Sequence, residues 1–199
     1  MEPSETTESL LEDWPEAIEA VRDDKLGEAF VWLSSEPSLR PQLLHCLWTE
    51  GHVDQARLVS LLIPAWQGPT QPRLALRQRA WLAMFKAAGF IGFDATTGRA
   101  IPPPLTTLTI FRGASERGRH GMSWTQDLEI ARDFAARYEG SVFRAAIDPR
   151  AVLAVLVDIA ESEVVVNPHM IRRRTEFLEM ADSAQMEERR RRQGTVFGS

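Results

Sequence analysis

Ser123-Trp124-Thr125-Gln126-Asp127-Leu128-Glu129-Ile130-Ala131-Arg132-Asp133-Phe134-Ala135-Ala136-Arg137-Tyr138-Glu139-Gly140-Ser141-Val142-Phe143-Arg144-Ala145-Ala146-Ile147 is the stretch on which the fold turns. Leu128, Ala131, Phe134, Ala135 and Tyr138 recur at the spacing of a single helical face, which predicts an amphipathic helix over residues 127–138. Thr125 stands where a hydroxyl can cap its first turn. The residues that follow, 142–147, combine β-branched and aromatic side chains and read as a strand. The same reading applies to 106–111 upstream and to 152–157 and 164–166 downstream, with Asp148-Pro149 and 158–160 as turns. Residues 104–168 therefore form a strand-dominated unit with one prominent helix.

Outside that unit the rhythm changes. From Trp14 to Gly89 short helical patterns alternate with turn signals, over 14–21, 26–33, 41–48, 53–62 and 73–88. Pro41 suits a first helical turn, and Leu74, Trp81, Leu82, Phe85 and Ala88 approximate one face that Gly89 is placed to end. Thr96-Thr97-Gly98 and Pro102-Pro103-Pro104 read as a loop into the strand-rich region. Residues 170–188 read as a further helix, with Arg172–Arg174 near its start. The fold class is α+β: an acidic helical region over 1–93, a strand-rich region over 94–188, and a flexible tail over 189–199.

Composition limits the function classes. An apolar fraction of 44% is ordinary for a globular chain. No apolar run approaches membrane-spanning length, and Met1–Glu8 has neither the basic nor the apolar segment of a classical secretory signal. The expectation is a cytoplasmic protein without a membrane partner, although a specialised secretion route would leave no such mark. Cys46 is the one cysteine, which excludes an intrachain disulfide and a thiolate zinc cluster; it reads as a small buried apolar residue. The histidines show no ligand spacing, so no metal site is expected. Residues 1–50 hold 12 acids and 3 bases within a chain of net charge -5. That asymmetry disfavours a nucleic-acid-binding module, because no basic field stands over the acidic front. Nor does the chain carry a glycine-rich dinucleotide fingerprint or a phosphate-binding loop of the Walker type.

Three fragments hold the polar residues that call for explanation. Arg112 follows Leu108 and Ile110 at strand period two, so it points where apolar neighbours point and needs a counter-charge, from a ligand pyrophosphate or an internal partner. Gly113 beside it permits close backbone approach. Ser123 either bonds within a ligand pocket or serves the turn before the helix. Glu161 and Glu163 alternate with Ser162 and share one side of a strand, which raises at least one of their pKa values; the plain alternative is a pair of polar residues at a strand start. One of Phe134 and Tyr138 is expected in the core, leaving the other to stack on a ligand ring. His120, beside Gly118, Arg119 and Gly121, lies in a loop.

Taken in order, Thr109-Ile110-Phe111-Arg112-Gly113, His120-Gly121-Met122-Ser123-Trp124-Thr125, Ala131-Arg132-Asp133-Phe134-Ala135 and Glu161-Ser162-Glu163-Val164-Val165-Val166 resemble the ADP-ribosyltransferases of the Arg-Ser-Glu class. That class includes clostridial C2- and C3-like toxins and arginine-directed ecto-enzymes. The likeness covers about residues 105–168. It implies a split core of two sheets around a cleft for NAD, used as substrate. By the same resemblance Arg112 meets the NAD phosphates and Ser123 and Thr125 support the pocket; in such a site Gly113 would let the backbone approach the nicotinamide amide, and Trp124 would shield the floor. Phe134 matches the family's aromatic that packs at the nicotinamide, and Glu163 is catalytic. Glu161, two residues before it, is associated with arginine acceptors. Ser-Trp-Thr replaces the family's common Ser-Thr-Ser.

The chemistry suits those groups. Breaking the nicotinamide–ribose bond leaves a cation-like sugar, and a carboxylate placed there stabilises the charge as it develops. Glu163 is assigned that role and Glu161 the orientation or deprotonation of the acceptor. The expectation is mono-ADP-ribosyl transfer from NAD to a macromolecule, most simply a protein arginine. The alternatives are an NAD glycohydrolase, a transferase acting on RNA or DNA (for which Arg172–Arg174 and Arg189–Arg192 supply cations), and an inactive helical interaction, immunity or regulatory factor.

Overall fold

The computed structural model describes residues 2–68, 75–158 and 162–180, and the chain divides into two compact units at Gly89/Phe90. Among the described residues the first holds six helices: α1 (Glu5–Leu10), α2 (Pro15–Arg22), α3 (Leu26–Trp32), α4 (Leu39–Thr49), α5 (Gln55–Gln67) and α6 (Gln78–Ala88). Asp54 caps α5 by accepting from Arg57 N at 2.8 Å. The sequence pattern stops α5 at Leu62, yet the helix continues through Pro64. Proline removes one ladder bond, which the burial of Ala65 and Trp66 beyond it offsets. Trp66 meets the edges of Trp81 and Phe85 at 4.9 and 5.3 Å between centroids, forming the aromatic centre of this unit. Gly89 ends α6 with φ +82°, a conformation glycine adopts without a Cβ penalty. Leu74, counted on the α6 face by its spacing, lies outside the described residues. Helix α1 was not anticipated, because its stretch is acidic; Ser4 caps it, accepting from Thr7 N. Cys46 is half-buried rather than buried.

The second unit is built on one mixed sheet of eight strands in the order β2-β1-β6-β7-β4-β3-β5-β8. The strands are β1 (Ile91–Asp94), β2 (Arg99–Ala100), β3 (Leu108–Ala114), β4 (Ser123–Thr125), β5 (Ser141–Ile147), β6 (Val152–Val157), β7 (Ser162–Val166) and β8 (Thr175–Met180). Only the β1–β6 pair among them is parallel. Helix α7 (Leu128–Arg137) follows β4, and the short α8 (Pro168–Ile171) follows β7. One face carries a core of Ile110, Trp124, Phe143, Ile147, Val155, Val164 and Val166. The opposite face receives α7, whose Ala131 and Ala135 pack with Val142 and Phe111. Full burial of Val164 or Val166 is worth about 1.5–3 kcal/mol each.

Several sequence expectations are corrected here. Asp127, not Thr125, caps α7, its carboxylate accepting from Glu129 N at 2.8 Å and Ile130 N at 3.4 Å. Residues 90–93 belong with the sheet rather than the helices, because β1 lies beside β6. Asp94 organises the β1–β2 turn, accepting from the amides and hydroxyls of Thr96 and Thr97. Residues 175–180 are a strand, not part of a helix. Glu, Leu and Met favour helix locally, but the free edge of β5 captures the segment, aided by an Arg144–Glu176 ion pair at 2.9 Å. Finally, the expected pair of sheets is one continuous ladder. It is pinched between β3 and β4, where Phe111↔Thr125 is the sole registered pair, against seven between β3 and β5. On its other edge the three-residue β4 is paired along its whole length, with three registered partners on β7, so the narrowing is confined to the β3 side.

Candidate functional site

The pinch brings the three polar fragments onto neighbouring strands. β7, β4 and β3 are adjacent in the sheet although α7, β5 and β6 intervene in the chain. Glu163 stands opposite Thr125, and Thr125 opposite Phe111. Directly opposed side chains share a face, so these three form a row across the site. Ser123, two residues along β4 from Thr125, points to the same side and is a diagonal neighbour of Glu163. Glu163 and Ser123 are half-buried, while Thr125 is buried at 3% exposure. The Thr125 hydroxyl accepts from Asp127 N at 3.1 Å, so the residue beside Glu163 also locks the turn into α7.

Arg112 leaves β3 on the other side, with Ile110 and Trp124. Its guanidinium is bent back over the 115–122 turn, Nε donating to Gly118 O at 2.9 Å and Nη1 donating to Ser123 O. Carbonyls therefore supply part of the compensation that a half-buried cation requires. Gly121 packs flat against it: a Cβ there would stand 2.5 Å from Arg112 Cζ and 3.0 Å from Nε. Trp124 is 1% exposed and its indole N–H donates to Gly121 O at 2.8 Å. Trp124 thus holds the turn from within the core. The turn is closed on its far side by Val166 N donating to Met122 O at 2.8 Å. Gly118 and Gly121 were not singled out from the sequence as site residues; their signal was two glycines flanking Arg119 and His120 just before β4.

Gly113 has a different neighbour from the one expected. A Cβ on it would stand 2.8 Å from Phe134 C and closer still to Ala131 O and Ala135 N, so the close approach it allows is that of the α7 backbone. Phe134 and Tyr138 are both half-buried, and neither is the expected core residue, since the inward positions of α7 are alanines. Their rings lie 6.4 Å apart at 15°, and Arg137 Cζ sits 4.9 Å from the Phe134 centroid. Glu161 lies outside the described residues.

In the turn, Arg119 pairs with Glu116, and its Nε donates to His120 Nε2 at 3.0 Å. Burial holds the His120 imidazole below its ordinary pKa, and the charges of Arg119 and Arg172 push the same way against Glu116. His120 is accordingly neutral at pH 7. Among the described residues no three His, Cys, Asp or Glu are grouped to hold a metal ion, and no helix is long and apolar enough to cross a membrane.

Comparison with protein-family models, with curated proteins and with solved structures found no match for this chain.

Proposed function

We propose that this protein is a mono-ADP-ribosyltransferase that splits NAD at its nicotinamide–ribose bond and transfers ADP-ribose to an arginine side chain. The observation that carries the reading is the cross-strand row Phe111–Thr125–Glu163 with Ser123 on the same side; Arg112 leaves the neighbouring strand on the opposite face and bends back to Ser123 O. Fragments far apart in the chain need not meet, and their adjacency is what a shared ligand requires. The single registered pair between β3 and β4 supports the reading, in which the dinucleotide would lie along that narrow pairing.

Glu163 suits the central role. It is a half-buried carboxylate beside the buried Thr125, so its charge is partly shielded from water and acts more strongly on a nearby cation. The C1′–N bond breaks with its electron pair leaving on the pyridine nitrogen of nicotinamide. A lone pair on the acceptor nitrogen forms the new bond to C1′, and the proton it sheds passes to Glu161 or to water. Arg112 offers the planar, permanently charged group that matches a pyrophosphate, oriented by Gly118 O and Ser123 O. The Phe134–Tyr138 pair on α7 offers apolar rings for a flat ligand group.

The test is incubation with NAD and a small guanidine acceptor such as agmatine, read by mass spectrometry. Addition of one ADP-ribose, lost in Glu163→Gln and strongly reduced in Glu161→Gln, is expected. Nicotinamide release with no modified acceptor of any class would replace transfer by hydrolysis.

A further inference from the structure

The turn over Arg112 holds a close contact that the proposed chemistry does not by itself explain. We infer that Gly121 is a positioning residue: it leaves a flat slot that fixes the plane of the Arg112 guanidinium. The inference rests on the reading of Arg112 as the group that receives the NAD pyrophosphate.

Three contacts define the slot. Gly118 O receives Nε, Ser123 O receives Nη1, and Gly121 lies against the guanidinium carbon. The two carbonyls set the direction of the fork, and the missing Cβ sets its depth. Gly121 has no left-handed φ, and the nearest atoms an added Cβ would meet all belong to the Arg112 guanidinium. That separates it from Gly113, where a side chain would meet helix backbone. The nearest atoms to a methyl group at 121 are at the far end of a flexible side chain, which can swing away. Gly121→Ala should therefore fold like the parent while its guanidinium is turned out of line. Trp124 steadies the slot from below through its bond to Gly121 O, and Val166 N steadies Met122 from the β7 side. A bidentate cation turned out of plane loses its fit to a pyrophosphate even though its charge remains.

The experiment is a double-mutant cycle on the full chain with Gly121→Ala, Arg112→Lys and both together, measuring nicotinamide release against NAD concentration. Gly121→Ala is expected to raise KM for NAD by roughly tenfold to a hundredfold with kcat changed far less, the pattern of a lost charge-assisted contact made equally in ground and transition states. In the Arg112→Lys background the same substitution should change little, because lysine carries no planar group for the slot to orient. An unchanged KM in Gly121→Ala, or an equal rise in both backgrounds, would overturn the inference. A second readout is the NMR signal of Arg112 Nε–H, which donates to Gly118 O and should exchange slowly in the parent and fast in Gly121→Ala; retention of protection would overturn the slot. If the parent releases no nicotinamide, the transferase reading fails, and this signal alone decides whether Gly121 seats Arg112.

Discussion

Replacing Gly113 by alanine tests how β3 and α7 hold the site together. An added Cβ would stand 2.8 Å from Phe134 C, where ordinary contact begins near 3.4 Å, and nearer still to Ala131 O and Ala135 N. All three atoms belong to helix backbone, so no side chain can turn aside and α7 must withdraw by roughly 1 Å, with the strain and lost contacts of an overpacked core. Overpacking costs about 1–3 kcal/mol, and a backbone collision belongs at the upper end. The withdrawal also loosens Ala131 and Ala135 from Val142 and Phe111. A loss near 3 kcal/mol corresponds to a fall in Tm of roughly 6–12 °C for a chain of this size. Urea unfolding read by hydrogen exchange in peptides covering 108–147 measures it where it arises. Gly27→Ala is the matched control: it is exposed in α3, and its Cβ would meet nothing within 4 Å. Alanine there should stabilise by about 0.5–1 kcal/mol through helix propensity. A Gly113→Ala protein within about 0.5 kcal/mol of the parent would refute the packing described for β3 and α7.

Other consequences are as direct. Asp127→Ala should cost about 1 kcal/mol in urea unfolding, because Asp127 is the cap of α7, and Thr125→Val should leave that cap in place; equal α7 protection in Asp127→Ala and the parent would contradict the assignment. His120 is neutral when folded and its pKa is lowered by burial and by Arg119 and Arg172. The unfolded chain therefore binds more protons, and the stability His120 contributes is fully present above about pH 6.5 and erodes as pH falls toward the lowered folded value. His120→Gln should flatten that part of the stability-against-pH curve, and an unchanged slope would count against the environment described. Asp94 is held at about pKa 2, chiefly by the Thr96 and then the Thr97 hydroxyl. Its contribution is present above the ordinary carboxylate range and lost as pH falls through about 2, so Asp94→Asn should remove a step in acid unfolding.

Much of the sheet was legible because its strands are long or strongly β-branched. Val152–Val157 needed no tertiary information, and the face periodicity of α7 was visible in Leu128, Ala131 and Ala135. What was not legible depends on partners remote in sequence. β1 and β2 are too short to announce themselves, and they exist because β6 offers an edge and Asp94 organises the turn between them. β8 is written in helix-favouring residues and becomes a strand only against β5. At the site, alternation correctly grouped Arg112 with Leu108 and Ile110, but it could not reveal that the guanidinium bends onto Gly118 and Ser123. Gly113 was rightly singled out for close approach, yet the approaching group is α7. No pattern in one chain tells which neighbour a glycine is reserved for.

The central claim stands on Glu163, and the most direct test is release of free nicotinamide from NAD by the full chain and by Glu163→Gln. The account predicts release by the parent and its loss in the variant, at matched folding and matched NAD binding. A folded parent that neither binds NAD nor releases nicotinamide would contradict it, as would a Glu163→Gln protein that releases nicotinamide at the parent's rate.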